Sequence, residues 1–141
     1  MRKWRTLLIL LACAAAVLLY PAETVVVPAW RIRVVDETGR PWPNEFVRQH
    51  WRHYSLGGSG GAEDKWTDAN GYVTFPDRTS GVSLLRKVLV PLRSAVALGP
   101  HASYGPSANV MVWGGRLVPE IAYYEPGKTL PDEIVLPRQG N

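Results

Sequence analysis

The sequence predicts an all-β domain, a sandwich of about seven or eight strands, behind an N-terminal signal or anchor helix. Three observations carry that prediction. Two segments match each other: Val34-Val35-Asp36-Glu37-Thr38-Gly39-Arg40-Pro41 and Thr67-Asp68-Ala69-Asn70-Gly71-Tyr72-Val73-Thr74-Phe75-Pro76. Each sets an acidic residue and a glycine beside a β-prone run. Asp, Asn and Gly tolerate positive φ and satisfy turn backbone, whereas Val, Tyr, Thr and Phe suit a half-buried pleated surface. Further short apolar runs follow at close spacing without a long-period repeat, which favours a sandwich over a solenoid. Twelve prolines and thirteen glycines in 141 residues fit many turns.

Length and charge narrow the class. A chain of 141 residues allows one domain, long enough beyond its first segment to build a core without staples. A hydrophobic fraction of 46% and a charged fraction of 20% are those of a globular protein. The pI of about 9.5 overstates the basic character of the domain. Three of the sixteen basic residues, Arg2, Lys3 and Arg5, precede the apolar run, and from residue 23 onward thirteen basic residues face twelve acidic ones. A domain so close to neutral lacks the footprint that phosphate-backbone binding needs, so nucleic acid is not expected as a partner. The single cysteine, Cys13, lies in the apolar run. Disulfides, thiolate nucleophiles and cysteine-ligated metals are therefore excluded from the domain.

Residues 1–22 have the shape of a secretory signal: a basic start, an uncharged run over residues 6–20, then Pro21. Three fates are open: cleavage after Ala22, lipidation at Cys13 within the lipobox-like Leu10-Leu11-Ala12-Cys13, or retention as an anchor. The uncharged run falls short of the ~20 residues that span a bilayer comfortably, although tilt or thinning accommodates this. All three fates place the domain outside the cytoplasm, in the periplasm or at the cell surface, with the membrane as a partner through this segment.

The elements follow in order. Residues 23–29 read as a linker, with an edge strand over 24–27 as the alternative. Residues 30–35 alternate, with Trp30, Ile32 and Val34 on one face and Arg31 and Arg33 on the other. The turn at Gly39 follows, and Pro41 and Pro43 keep the next stretch unpaired. A strand over 45–54 turns Val47 and Trp51 inward and Arg48, His50 and Arg52 outward. The glycine-rich 57–61 reads as a flexible loop tip. Residues 63–67 re-enter the sheet, and the Asp68 to Gly71 turn leads into a strand over 72–75. Residues 83–98 are ambiguous, because apolar residues recur at helical spacing around Pro91. A short helix near 83–90 and then a strand, or two strands, both fit. A structured loop over 99–106, strands over 109–113 and 117–124 joined through Gly114-Gly115, and a closing strand over 133–136 complete the domain at 30–137. Residues 138–141 are a polar tail.

The segments Val34-Val35-Asp36-x-x-Gly39-x-Pro41, Thr67-Asp68-Ala69-x-Gly71-x-Val73-x-Phe75 and Ile134-Val135-Leu136-Pro137 resemble carboxypeptidase regulatory-like domains of the transthyretin-like (prealbumin-like) group. The resemblance implies a seven-stranded Greek-key sandwich serving as an accessory, structural or ligand-contacting module of the cell envelope, without catalysis of its own. Enzymatic branches of that group leave no signature here. The ureide hydrolases end in Tyr-Arg-Gly-Ser, where this chain has Arg138-Gln139-Gly140-Asn141. The isopeptide-forming adhesins need a first-strand lysine, where Arg31 and Arg33 stand. The iron dioxygenases need His-x-His, which is absent.

Candidate site residues are few. His50 and His53, three apart on a strand, point to opposite faces and do not chelate one metal. No nucleophile elbow, phosphate loop or zinc motif occurs, and Ser55, Ser59 and Ser103 have no adjacent activating motif. No cofactor is expected. Arg31 and Arg33 with Arg48, His50 and Arg52 form a basic stripe if the first two strands pair with those faces aligned. Such a stripe suits lipid headgroups, an anionic glycan or an acidic envelope protein. The bland reading is a solvated sheet face. His101 and Tyr104 mark a loop site. The expectation is a non-catalytic binding or structural module. Its alternatives are a small hydrolase or metal-dependent enzyme using His50, His53, His101 and Tyr104, and a glycan-binding module stacking sugars on Trp42, Trp51, Trp66, Trp113, Tyr54 or Tyr104.

Overall fold

In a computed structural model of the chain, which describes residues 2–56, 59–98 and 103–137, the two matched turns share one backbone geometry. Asp36 Oδ1 accepts the N–H groups of Thr38 (2.8 Å) and Arg40 (3.0 Å), and Asp68 Oδ1 accepts those of Asn70 (2.8 Å) and Tyr72 (2.9 Å). The glycine three residues on donates back to each aspartate carbonyl, at 2.9 Å for Gly39 and 3.0 Å for Gly71. Both glycines have positive φ, +78° and +77°. Only glycine takes that conformation without a Cβ penalty, which is why the spacing recurs.

Among the described residues two α-helices, α1 (Arg2–Leu19) and α2 (Leu84–Leu98), accompany a protein that is mostly sheet. The strands are β1 (Pro21–Val27), β2 (Trp30–Asp36), β3 (Phe46–His53), β4 (Ser59–Trp66), β5 (Tyr72–Phe75), β6 (Arg78–Ser83), β7 (Pro106–Val112), β8 (Glu120–Tyr124) and β9 (Glu133–Leu136). Among the described residues they form three sheets, ordered β4-β3-β7-β8, β5-β2-β9 and β1-β6. Strand β2 runs antiparallel to β5 and parallel to β9. Period-two alternation sends Trp30, Ile32 and Val34 inward from β2, and Val47 and Gln49 inward from β3. All but Gln49, which is buried beside them, meet Val27, Phe75, Val110 and Leu136 in one core. The arrangement is compatible with a β-sandwich.

The observed elements correct several expectations. Residues 21–27 are a strand rather than a linker, and Val26 and Val27 are buried. Its partner β6 has only Val82 buried, so it exists by pairing with β1 and not by its own pattern. The glycine-rich stretch is not wholly a loop tip. Gly60 and Gly61 lie in β4 opposite Arg52 and Trp51, while Gly57 and Gly58 lie outside the described residues. A Cβ on Gly60 would sit 2.5 Å from the Trp51 carbonyl oxygen, and one on Gly61 2.9 Å from the indole ring. Glycine is what lets the two strands close here with Trp51 lying across. Residues 84–98 form one helix that continues through Pro91, where the proline withholds a single donor from the Lys87 carbonyl. Leu117 and Val118 belong to a loop, and β8 begins at Glu120. No helix among the described residues is long and apolar enough to cross a membrane.

Candidate functional site

On the outer face of the β5-β2-β9 sheet, neighbouring strands bring together side chains that are far apart in sequence. Arg33 stands directly across from Tyr72 on one side and Glu133 on the other. The Arg31 guanidinium carbon lies 4.0 Å from the Tyr72 ring centroid and that of Arg33 lies 5.6 Å from it. The ring face attracts both cations, by about 0.5–1 kcal/mol each at an exposed site. Asp132 and Glu133 complete an open cleft of about 690 Å³. The Asp132 carbonyl accepts the Arg33 backbone N–H at 2.8 Å, which fixes the end of the cleft to β2. Neither arginine is ion-paired within 4.0 Å among the described residues, and Arg33 Nε is shielded from solvent with no acceptor. The planar fork of each guanidinium matches a carboxylate or phosphate, while the Asp132 and Glu133 carboxylates in the same cleft balance the two positive charges without pairing with them.

The other half of the expected stripe lies elsewhere. Arg48, His50 and Arg52 share the outer face of the four-stranded sheet, because β2 and β3 belong to different sheets and do not pair. The single stripe is therefore not formed. Arg48 donates twice to Asp64, at 2.6 and 2.7 Å, which raises its own affinity for the proton and lowers that of Asp64. Arg52 lies 5.8 Å from the Tyr54 ring centroid. Comparison of the chain with protein-family models, curated proteins and solved structures returns no match. The residues must therefore speak for themselves.

His50 is exposed on the outer face while His53 is buried on the inner one, so the two do not converge. Tyr104 is exposed, and His101 lies outside the described residues. No group of three or more His, Cys, Asp or Glu side chains among the described residues is placed to hold a metal ion. Cys13 is exposed on α1. Of the aromatic residues, Trp42 and Trp51 pack against the core. Trp66, 61% exposed, meets Phe46 edge-on at 68°, and Phe46 meets Trp113 at 45°. Phe46 is thus coplanar with neither Trp66 nor Trp113. Tyr72, Asp132 and Glu133 were not singled out in the sequence, because only strand pairing brings them to Arg33.

A second polar cluster closes the inner edge between β4 and β6. Arg78 stacks over Trp51 at 4.1 Å, donates to Gln49 Oε1 at 2.9 Å and pairs with Glu63. The hydrogen bond from Arg78 holds the Glu63 carboxyl below the usual carboxylate range, against a smaller upward push from desolvation. Its stabilising contribution is complete above the unfolded-state value of about 4.3 and is lost as pH falls towards the lower folded-state value. Nearby His53 is pushed down, first by burial and then by the charge of Lys87. Its neutral form is favoured in the fold, so destabilisation sets in as pH drops below about 6.5. Thermal melts across about pH 2 to 7.5 should show both steps. His53→Leu should flatten the upper part of the profile and Glu63→Gln the lower. Unchanged profiles in both variants would refute the assignment.

Proposed function

We propose that the chain is an exported, membrane-tethered and non-catalytic binding or structural module of the bacterial cell envelope. We place it among transthyretin-like, carboxypeptidase regulatory-like domains with a Greek-key order. The observation that carries the binding role is the cleft where Arg31 and Arg33 stand unpaired beside the single ring of Tyr72. The chemistry suits an acidic group on an envelope protein or glycan. The separation of His50 from His53 supports a role without catalysis, and the repeated Asp-x-x-Gly turn supports the family reading. Export and tethering are supported by α1, whose apolar residues are exposed and whose only charges are Arg2, Lys3 and Arg5 at its start.

The test uses the full chain in a bacterial host, with a photo-crosslinking amino acid at position 133, which lines the cleft. Irradiated cells should yield a discrete adduct in the envelope fraction. Arg31→Glu with Arg33→Glu should reduce that adduct about tenfold or more, since each charge-assisted contact is worth about 1.5–3 kcal/mol. An adduct indifferent to both arginines, no adduct, or a chain confined to the cytosol would overturn the reading. Mass spectrometry of the mature N-terminus separates cleavage, lipidation at Cys13 and retention.

A further inference from the structure

Helix α2 is oriented the opposite way from an ordinary surface helix. Such a helix buries its apolar stripe against the core and shows polar residues to water. Here Leu85, Val88, Leu89, Leu92 and Val96 lie on one arc at 100° per residue, and all are exposed, Val96 by 83%. The helix meets the domain through a narrower polar and small side, on which Lys87, Val90, Pro91 and Ser94 are half-buried. Lys87 Nζ donates to Thr24 Oγ1 at 2.6 Å, which fastens that side to β1. Leu85, Leu89, Leu92 and Val96 line an apolar groove together with Arg86 and Arg93.

We propose that α2 is an in-plane membrane-contact helix, whose leucine and valine face enters the headgroup region of an anionic bilayer. Charge selects this occupant. Arg86 and Arg93 stand beside the apolar arc of α2, and neither α2 nor α1 carries an acidic residue. Basic residues flanking an apolar face favour anionic lipid, at about 1 kcal/mol per residue near the surface. Continuity with α1 points the same way. Ala16, Val17, Tyr20, Ala22 and Leu84 share an apolar pocket where the end of α1 meets the start of α2. Trp4 and Tyr20, exposed at the two ends of α1, are residue types that settle at the membrane–water boundary. Since no described helix can cross a bilayer, a second apolar face lying alongside the first adds hold without adding a span. The inference extends the tether reading and shares its premise of a membrane at hand.

Two labels separate the two ideas. In the full chain, an environment-sensitive nitrobenzoxadiazole on the native Cys13 reports α1. The same dye at position 96, in Val96→Cys with Cys13→Ser, reports α2. Vesicles of equal parts phosphatidylglycerol and phosphatidylcholine should shift the emission at position 96 to the blue, and pure phosphatidylcholine should do so far less. Adding Leu89→Glu and Leu92→Glu should abolish the shift at position 96 and leave that at Cys13. A shift at Cys13 alone overturns the α2 inference and leaves the tether standing, whereas a shift at position 96 alone does the reverse. No shift at either site removes both. An equal response to both vesicle types overturns the anionic preference. Emission at position 96 already blue before vesicles, in a chain that runs as a dimer, assigns the face to a second copy and overturns the lipid proposal.

Discussion

Gly71→Ala is expected to cost the domain about 3 kcal/mol or more, whereas Gly39→Ala costs about 1. The two glycines have almost the same φ, so both substitutions carry the left-handed penalty of about 1–2 kcal/mol. Their surroundings differ. A Cβ at Gly39 meets nothing within 4 Å, but one at Gly71 would lie 2.5 Å from the Val34 carbonyl oxygen and 3.1 Å from the Trp42 nitrogen. That carbonyl accepts the Trp42 N–H at 2.9 Å, and the Val34 N–H is bonded to the Gly71 carbonyl at 2.8 Å. Making room for a methyl group disturbs both bonds, each worth about 0.5–1.5 kcal/mol. Thermal unfolding by circular dichroism should place the Gly71 variant roughly 12 °C below the parent and the Gly39 variant roughly 4 °C below, at about 4 °C per kcal/mol for a domain of this size. Equal shifts would show that the second turn does not lock against the first.

Trp30→Ala is expected to be at least as damaging, at about 3–5 kcal/mol for a fully buried tryptophan. Besides filling the core, the indole Nε1–H donates to the Pro131 carbonyl at 2.7 Å, two residues before β9. Losing the ring therefore opens a cavity and unfastens the last strand from the first strand of its sheet. Trp30→Phe keeps most of the packing and loses that bond, for about 1 kcal/mol from the bond alone. Urea denaturation measures both, and amide exchange at Ile134 and Leu136 should quicken in each variant. A Trp30→Phe chain as stable as the parent would mean that the indole N–H does not anchor the closure.

What the sequence revealed follows from where local pattern and tertiary demand agree. The alternation over Trp30 to Val34 and over Val47 to Arg52 is itself the inside–outside pattern of a half-buried strand, and both strands formed with the expected faces. The Asp68 to Gly71 turn and the apolar run at Ile134 likewise placed β5 and β9. Strand β6 was illegible because Arg78 to Ser83 has one buried apolar residue and owes its state to β1. Helix α2 was obscured by Pro91, whose cost a continuous helix absorbs on its domain-facing side. The basic stripe failed for a topological reason. Strands β2 and β3 are consecutive in the chain but lie in different sheets, so no spacing along the sequence could align their arginines. The cleft needed that same topology, since Tyr72 and Glu133 reach Arg33 from opposite sides.

Strand β2 sits in the middle of its sheet, and one of its two neighbours is the last strand of the chain. Until residues 133–136 have been synthesised, the interior around Ile32 and Val34 has an open seam. Pairing across about a hundred residues of sequence is also slow to find. The interior of this sheet therefore closes only when residues 133–136 pair with β2. A chain halted after residue 129 should exchange the amides of Ile32 and Val34 faster than the 141-residue chain does.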